Sequence, residues 1–214
     1  MIKSDQDNIN VIFKKDFISE ERAKELFNIF EKNIKYNSDE ESKVYMFDKY
    51  IKIPRKQIAY SDGNLGYSFS GTKVNAIDWN TALLATSYAD NEICKVLKEI
   101  RDQVEKYLNK EFNFVLINRY NDGEDYIGPH HDSENDLKHS TIVGVSFGSS
   151  RNLILKSNKD VCIDVPNRIK MELNNGSLYA MCDKTNKNWK HSIPKMKNMS
   201  TRISLTFRCM KLKN

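Results

Sequence analysis

Two histidines and an aspartate form the first group of residues that could do chemistry. One residue separates His130 from Asp132, so in an extended segment both side chains point to the same side of the chain. A third ligand is available at His191, 61 positions after His130. Two histidines and one carboxylate on one face form the triad of non-haem Fe(II) oxygenases, which leaves coordination positions open for a co-substrate and oxygen. For His-x-Asp alone, a surface histidine beside an acidic turn is the alternative interpretation.

A second group lies on one face of a predicted strand near the end of the chain. Arg202 and Arg208 are separated by an even number of residues, with Ser204 and Thr206 between them on the same face. Two arginines that face the inside of a barrel are costly unless they meet anions. A planar guanidinium binds a carboxylate through two charge-assisted hydrogen bonds, so these arginines suit a dicarboxylate co-substrate. A solvated edge strand is the alternative.

Another predicted strand places two hydrogen-bonding side chains at the end of an apolar row. Asn118 and Tyr120 follow Phe112, Phe114 and Leu116 at alternate positions. Alternate residues of a strand share a face, so an amide and a phenol group are predicted to lie beside the apolar row.

Two helices and many short strands must position these groups. Ser19 is a good N-cap, and apolar residues recur at helical spacing over about 19 to 34; a second apolar stripe predicts a helix over about 90 to 109. Short strand-like runs separated by turns make up most of the remaining pattern. They are 44–47, 50–53, 55–60, 112–120, 141–147, 152–155, 161–165, 169–173, 177–181 and 203–207, with a further strand around Tyr67 and Phe69. The sequence therefore predicts an α+β fold, with a two-sheet sandwich or jelly roll that carries flanking N-terminal helices.

The composition is that of a globular intracellular protein. The chain has 214 residues, of which 39% are hydrophobic, and a formal net charge of +5, which permits nucleic-acid binding without requiring it. No apolar run approaches the roughly 20 residues that a membrane span needs, and the start of the chain lacks a secretory signal. Its four cysteines form no Cys-x-x-Cys pair, so we expect reduced thiols and no zinc knuckle.

Several segments, in their order and spacing, resemble the AlkB family of Fe(II)- and 2-oxoglutarate-dependent dioxygenases. They are Asn118-Arg119-Tyr120, His130-x-Asp132, His191 and Arg202 to Arg208. Other segments resemble the branch of this family that repairs alkylated bases in double-stranded DNA. They are Pro54 to Gln57, Tyr67 to Gly71, Asp122-Gly123, Ile127-Gly128 and Ser146 to Gly148. The similarity covers roughly residues 44 to 210 and implies a double-stranded β-helix whose lid is a substrate-recognition hairpin.

The resemblance implies a role for each residue of the two groups. The iron ligands, which are also the catalytic residues, correspond to His130, Asp132 and His191. The residues implied in binding 2-oxoglutarate are Asn118, Tyr120, Arg202, Ser204 and Arg208, of which Arg202 would meet the far carboxylate. Ser204 departs from the family, which commonly has asparagine there, and its hydroxyl is shorter.

The resemblance also implies contacts with a flipped base and with DNA. The expected base contacts are Tyr67, Phe69, Ser70, Ser133 and Glu134, with aromatic rings and the His130 imidazole clamping the base. Phe47 matches the aromatic finger that fills the gap left in the duplex, and packing of Phe47 on the N-terminal helix is the alternative. The expected phosphate contacts are Arg55 and Lys56, with further lysines nearby.

The implied function is a DNA-repair dioxygenase that removes N-methyl groups from bases such as 1-methyladenine and 3-methylcytosine. Its cofactors would be Fe(II), 2-oxoglutarate and O2, and its partner double-stranded DNA with a flipped alkylated base. We expect a monomer in the nucleus or cytoplasm, with no membrane partner. One domain over residues 1–214 is expected, in which about 1–110 forms helical support and lid and about 111–210 the catalytic jelly roll. Two alternatives stay open: the same chemistry on RNA or single strands, and a non-catalytic nucleic-acid-binding jelly roll.

Overall fold

The computed structural model describes residues 1–46, 48–63, 65–69, 72–82, 88–133 and 135–212. In these ranges the chain forms fifteen strands and four helices. In chain order they are β1 (Ile2–Ser4), β2 (Ile9–Lys14), α1 (Glu20–Asn33), β3 (Lys43–Met46), β4 (Lys49–Lys52), β5 (Lys56–Ser61), β6 (Gly66–Phe69), β7 (Thr72–Asp78), α2 (Trp79–Ala82), α3 (Tyr88–Leu108), β8 (Phe114–Tyr120), β9 (Ile127–His130), β10 (Ile142–Gly148), β11 (Arg151–Ser157), β12 (Arg168–Leu173), β13 (Leu178–Met181), α4 (Thr185–Asn188), β14 (Trp189–Ile193) and β15 (Arg202–Arg208).

Two sheets face each other and form the predicted jelly roll. The large sheet has the strand order β1-β2-β13-β10-β15-β8-β5-β7-β6, and the small sheet has the order β12-β11-β14-β9. Apolar side chains from both sheets form one buried cluster between them, which includes Phe114 and Met181 of the large sheet and Leu153 and Leu155 of the small one. The inner face of the large sheet therefore looks onto the small sheet, and polar groups on that face are held in a mostly apolar interior.

The two long helices cover the outer face of the large sheet, and both confirm the sequence prediction. Helix α1 begins after Ser19, whose hydroxyl accepts a hydrogen bond from the Arg22 backbone N–H at 3.3 Å. Its apolar stripe, which includes Leu26 and Phe30, packs in a second buried cluster with Phe147 of β10. Helix α3 ends one residue before the predicted position. None of the helices in the described ranges is long and apolar enough to cross a membrane.

The first residues of the chain complete the large sheet, which the sequence pattern did not predict. Strand β2 pairs with β13, from Lys14 opposite Leu178 to Val11 opposite Met181. Strand β5 likewise pairs with β8. The expected division near residue 110 is therefore no boundary between sheets, because strands from both sides of it share the same ladders.

The predicted strand over residues 161–165 is wrong, and a buried carboxylate explains why. The Asp7 side chain accepts hydrogen bonds from the backbone N–H groups of Ile163 at 2.9 Å and Asp164 at 2.8 Å, and also from that of Val165 at 3.1 Å. Consecutive N–H groups turned toward one acceptor cannot alternate across a ladder. The segment is a loop in which Val161 and Ile163 are 79% and 73% exposed, whereas Val165 is half-buried against the core between the sheets.

A small hairpin stands apart from both sheets. Strands β3 and β4 pair only with each other among the described strands, with Tyr45 opposite Tyr50. The two tyrosine rings lie 5.1 Å apart and are 49% and 72% exposed. This hairpin occupies the place predicted for the recognition hairpin, and Phe47, the predicted finger, lies outside the described residues.

Candidate metal centre and anion pocket

Two neighbouring strands of the small sheet bring the two histidines together. His130 ends β9 and lies directly opposite His191 of β14, with ring centroids 4.1 Å apart. The register shifts between His191 and Ile193, which is a local irregularity of the kind that re-aims side chains at functional sites. The Trp189 indole N–H donates to the Asp7 carbonyl at 2.9 Å and fixes the start of β14. The two rings therefore lie on well-anchored backbone.

The three predicted metal ligands converge on one point. The potential ligand atoms of His130, Asp132 and His191 all lie within 4.8 Å of one another. The Nε2 atoms of the two histidines are 3.5 Å and 3.7 Å from the same Asp132 oxygen, Oδ1. Two imidazole nitrogens and one carboxylate oxygen around a shared point fit a divalent metal, and iron in particular, because three ligands on one face leave the opposite face open.

Hydrogen bonding and burial leave both imidazoles ready to bind a cation. The Nδ1 atom of His130 is 2.8 Å from the Gly128 carbonyl, so Nδ1 carries the proton and Nε2 keeps its lone pair toward Asp132. Burial, together with the neighbouring imidazole, lowers the pKa of His191 to about 3. The His191 ring is therefore neutral at physiological pH, as a metal ligand must be.

Arg208 contacts one of the two carboxylate oxygens of Asp132. Its Nε donates to Asp132 Oδ2 at 3.0 Å, and its Nη2 donates to the same oxygen, which leaves Oδ1 toward the histidines. Burial alone would raise the pKa of Asp132, but the Arg208 guanidinium and the imidazoles hold it well below its usual value. The carboxylate is thus charged and oriented. Arg208, which the resemblance assigns to 2-oxoglutarate, contacts the metal ligand Asp132.

Asn186 is a residue of this centre that sequence reasoning missed. Its Oδ1 accepts the Asp132 backbone N–H at 2.9 Å, and its Nδ2 donates to the Asp132 carbonyl at 3.0 Å. Its own carbonyl accepts a hydrogen bond from Nδ1 of His131. The short helix α4 thereby clamps the ligand loop, and the only signal in the sequence is an asparagine five residues before His191.

A buried cationic pocket lies on the inner face of the large sheet. Arg202 is 1% exposed; its Nη2 donates to the hydroxyls of Ser146 at 2.9 Å and Ser204 at 3.2 Å. Its Nε and Nη1 are buried without a hydrogen-bond partner among the described residues. Burial lowers the pKa of the guanidinium, and the nearby Tyr120 and Tyr179 act in the opposite direction. Two adjacent unpaired donors fit a carboxylate, so this pocket suits the far carboxylate of a dicarboxylic acid.

Tyr120 lies between two guanidinium groups. Its ring centre is 5.2 Å from the guanidinium carbon of Arg202 and 5.5 Å from that of Arg151. Arg151, which sequence reasoning also missed, donates to the carbonyls of Asp122 and Asp125, at 2.9 Å and 2.7 Å, and to that of Pro194 at 2.7 Å. Arg151 therefore ties the loops after β8 and β14 to the sheet and backs the Tyr120 ring.

Asn118 lies in a buried polar cluster that changes the interpretation of Arg55. Its Oδ1 accepts hydrogen bonds from Arg55 Nε at 3.0 Å and Gln57 Nε2 at 2.6 Å, so only its Nδ2 group is left to donate to a ligand. Arg55 is 6% exposed, and its Nη1 also donates to the Tyr126 carbonyl at 3.3 Å. The expected surface contact of Arg55 with phosphates is therefore corrected: its side chain supports the interior of the barrel.

The expected base and DNA contacts are only partly within the described residues. The backbone of Tyr67 and Phe69 is described, in β6, but their side chains are not. Ser133 is half-buried directly after Asp132, and Lys56 is exposed at the start of β5. Ser70, Glu134 and Phe47 lie outside the description.

Comparison with known proteins places the chain among oxygenases. The 2OG-Fe(II) oxygenase superfamily matches residues 10–208. The DNA oxidative demethylases ALKBH2 of Bos taurus and Homo sapiens are both 38% identical over 192 residues, which is 87% of this chain and 64% and 68% of those proteins. The Mus musculus ALKBH2 is 37% identical, with 74% of its length covered. The chain thus spans about two thirds of the length of these relatives.

Two solved structures share the fold at low sequence identity. The structure of OsALKBH1 aligns with a TM-score of 0.54 at 15% identity, covering 92% of this chain and 97% of that one. A Pseudomonas putida prolyl-4-hydroxylase aligns with a TM-score of 0.53 at 10% identity, covering 95% and 94%. Both likenesses support the jelly-roll assignment of the fold.

Proposed function

The chain belongs to the 2OG-Fe(II) oxygenase superfamily, and we propose that it is a DNA-repair dioxygenase that removes N-methyl groups from bases. Fe(II), 2-oxoglutarate and O2 are the cofactors of this family, and together they supply the oxidant that hydroxylates the methyl group, with succinate, carbon dioxide and formaldehyde as by-products. The single observation that carries the proposal is the metal triad on one sheet facing an unpaired buried arginine on the other. A catalytically silent binding protein has no need of that combination.

The chain's own residues would hold the metal through one atom each. His130 and His191 offer Nε2, and Asp132 offers Oδ1 while Arg208 occupies Oδ2. Because Arg208 engages Oδ2, the carboxylate would offer the metal one oxygen and would leave room for the co-substrate and oxygen. Asn186 keeps the Asp132 backbone in place during turnover.

The co-substrate would lie between the triad and Arg202. Its far carboxylate would accept hydrogen bonds from Nε and Nη1 of Arg202, the two donors that lack a partner among the described residues. The Ser204 hydroxyl, which the resemblance also assigns to the co-substrate site, accepts a hydrogen bond from Arg202 Nη2 and so orients the guanidinium. Tyr120 and the Nδ2 group of Asn118 would complete the site.

A DNA substrate is proposed from the relatives' names and from one surface. Lys156 of β11 lies directly opposite Lys190 of β14 on one side and Arg168 of β12 on the other, and all three are exposed. Like charges directly opposite one another destabilise a sheet, and no carboxylate of the described residues lies within ion-pair distance of these three. We call these three residues the cation row. A phosphate backbone would supply the missing anions.

Double-stranded DNA with a flipped base is the form of substrate we propose. A base inside a duplex cannot reach a buried metal, so it must rotate out of the stack. Phe47 would fill the gap, and the exposed Tyr45 and Tyr50 would flank it on the hairpin. Tyr67 and Phe69 would clamp the base with His130, and the remaining proposed base contacts are Ser70, Ser133 and Glu134. Lys56 would contact phosphate.

The proposal includes a monomeric enzyme that works where DNA is found, in the nucleus or cytoplasm. One domain would contain both the metal centre and the surface that recognises DNA, since strands from the first 110 residues complete the catalytic sheet. The hairpin and β6–β7 would form the lid over the site.

Formaldehyde release from matched oligonucleotides tests the proposal. Double-stranded DNA, single-stranded DNA and RNA of one sequence, each with a single 1-methyladenine or 3-methylcytosine, are incubated with Fe(II) and 2-oxoglutarate. We expect formaldehyde and the unmodified base in equal amounts, with duplex DNA turned over fastest. EDTA should stop the reaction and added Fe(II) should restore it.

Two outcomes separate the alternatives. Equal or faster turnover of RNA or single strands would overturn the duplex assignment and leave the chemistry standing. Tight binding of all three oligonucleotides without formaldehyde, at saturating Fe(II) and 2-oxoglutarate, would overturn the enzyme assignment and favour a binding protein.

A further inference from the structure

A tyrosine of the large sheet covers a glycine of its neighbouring strand. Tyr179 of β13 is directly opposite Gly144 of β10 and is 6% exposed. A Cβ atom on Gly144 would lie 2.1 Å from Tyr179 Cε1 and 2.8 Å from its hydroxyl oxygen. Only glycine fits beneath the ring in this position, because non-bonded atoms do not approach a Cβ atom that closely. The glycine therefore lets the phenol reach over β10 toward the middle of the sheet.

The hydroxyl is carried toward the strand that holds both arginines. Gly144 is paired on its other side with Thr206 of β15. Thr206 lies between Arg208 and Ser204 on the inner face of that strand. Arg208 marks the metal end of the pocket through its bonds to Asp132, and Arg202 marks the anion end. Tyr179 thus points into the stretch of the interior between the two ends, which is where a dicarboxylate bound to both must lie.

The Tyr179 hydroxyl is a buried hydrogen-bond donor that can bind a ligand. Among the described residues no side chain or backbone group hydrogen-bonds it, although the ring is buried. Burial raises the pKa of Tyr179 to about 12, so the group is protonated at physiological pH. The charged groups that act on it are Arg202, Asp132 and Arg208, with Arg202 the strongest of the three. All three belong to the site already described.

We propose that Tyr179 binds the co-substrate, its hydroxyl donating a hydrogen bond to the carboxylate that Arg202 holds. This inference deepens the proposed function and rests on its 2-oxoglutarate requirement, but not on the identity of the nucleic acid. Gly144 is the residue that makes the contact possible, since any side chain there would displace the ring.

The neighbouring serine explains why such a donor is needed. Ser204 stands where relatives of the AlkB family commonly have asparagine, and its hydroxyl accepts from Arg202 Nη2 at 3.2 Å. A serine hydroxyl is shorter than an asparagine amide, and the oxygen of this one is engaged with the arginine. Tyr179 comes from the opposite side of β10 and supplies a donor in place of that amide.

Binding of 2-oxoglutarate to the Tyr179→Phe variant tests the inference. The substitution removes one oxygen and keeps the ring over Gly144. Affinity is measured by calorimetry with Mn(II) in place of Fe(II), which makes the readout independent of turnover and of any nucleic acid. We expect the Kd for 2-oxoglutarate to rise about tenfold, since a hydrogen bond to a charged group contributes about 1.5 kcal/mol or more.

A ligand without the far carboxylate makes the test specific. The same titration is carried out with 2-oxopentanoate, which keeps the 2-oxo acid end and ends in a methyl group. We expect Tyr179→Phe to bind it as the parent protein does. Tyr107→Phe is the matched control, because Tyr107 is an exposed tyrosine on α3, and it should change neither Kd.

Other results would overturn the inference. An unchanged Kd for 2-oxoglutarate in Tyr179→Phe rules out the hydrogen bond, and an equal loss for both ligands shows that the hydroxyl serves packing. If the parent protein with Mn(II) does not bind 2-oxoglutarate at all, the proposed function itself fails, which is a different result.

The Gly144→Ala variant tests the same hydrogen bond by changing the glycine beneath the Tyr179 ring. The added methyl group must displace the Tyr179 ring, so we expect the same rise in the Kd for 2-oxoglutarate. Gly144→Ala combined with Tyr179→Leu relieves the clash, and we expect this pair to recover thermal stability but not affinity. Full affinity in the soluble Gly144→Ala variant would contradict the proposed placement of the hydroxyl.

Discussion

The interior between the two sheets and the hairpin of β3 and β4 differ in how their side chains are held. In the interior, Asp132 is 5% exposed and is fixed by Arg208 through its side chain and by Asn186 through its backbone. On the hairpin, Tyr45 and Tyr50 contact each other and are largely exposed. In the interior, contacts within the chain fix the side chains, whereas the hairpin presents apolar surface to solvent.

This difference suggests that the interior binds the metal and co-substrate and that the hairpin contacts the nucleic acid. A metal centre needs ligands that are placed before the ion binds, because misplaced ligands cost affinity and reactivity. A surface that inserts into a duplex gains from apolar groups whose burial is completed only by the partner. We therefore expect substitutions in the interior to affect cofactor binding and turnover, and substitutions in the hairpin to affect only the use of nucleic-acid substrates.

The largest effect is expected from Asp132→Ala. The variant loses one of three protein ligands and leaves the buried Arg208 without its carboxylate, so we expect no detectable formaldehyde or succinate. Affinity for Mn(II), measured by calorimetry, should fall at least 100-fold. Binding of methylated duplex DNA, measured by fluorescence anisotropy, should change less than threefold. Succinate production at the parent rate would contradict the metal assignment.

A smaller loss is expected from Asn186→Ala, which leaves all three ligands in place. Removal of both hydrogen bonds to the Asp132 backbone frees the ligand loop, and groups that orient metal ligands typically contribute 10- to 100-fold to metal affinity or activity. We expect a rise in the Mn(II) Kd within that range. Asn188→Ala, in the same short helix, is the control and should bind Mn(II) normally. Equal Mn(II) affinity in the two variants would mean that the clamp is dispensable.

The hairpin variant Tyr45→Ser with Tyr50→Ser should affect substrate use alone. Base stacking on an aromatic ring is worth about 1 kcal/mol or more, so we expect the KM for methylated duplex DNA to rise about fivefold or more. The rate of 2-oxoglutarate turnover without DNA and the Tm should stay the same, because exposed substitutions rarely change stability by more than about 0.5 kcal/mol. A fall in Tm of several degrees would place these tyrosines in a structural role instead.

The smallest effect is a pH dependence of the metal-free protein. The pKa of His191 is about 3 in the folded chain and near 6.5 when unfolded, so the unfolded state binds the extra proton between these values. The free energy of unfolding should therefore fall as the pH falls from 6.5, by at most about 1.4 kcal/mol per pH unit. Asp132, whose pKa is also lowered, adds to the loss below about pH 4. Urea unfolding at several pH values measures this slope, and His191→Gln should flatten it.

The sequence predicted the reactive groups better than the groups that hold them. His130, Asp132 and His191 could be found because the chain has only four histidines and their chemistry restricts where they are useful. Helix α1 was predicted because its cap and apolar period are local properties, and the structure places it within one residue of the prediction at each end.

What could not be predicted depends on contacts between distant parts of the chain. Asn186 and Tyr179 are of common residue types, and their roles arise only when α4 meets the ligand loop or β13 lies beside Gly144. Arg55 was expected to contact phosphate because it lies among basic residues near the hairpin, yet Asn118, 63 residues later, gives it a buried partner. The strand predicted over residues 161–165 was wrong for the same reason, since the distant Asp7 accepts hydrogen bonds from the backbone N–H groups of this segment.

The position of β15 in the large sheet has a consequence for how the protein is made. This strand lies between β10 and β8, pairs with β8 along its whole length and with β10 over residues 202–207, and carries Arg202 and Arg208. It follows both partners in the chain, by more than 50 residues in each case. A nascent chain must therefore keep a gap in the middle of its sheet until this segment emerges from the ribosome, and pairings of such long sequence separation form slowly. The three metal ligands precede this strand, whereas Arg208, which orients Asp132, and Arg202 of the anion pocket lie on it. An unfinished chain would therefore have the metal ligands without the arginines that orient the carboxylate and bind the co-substrate.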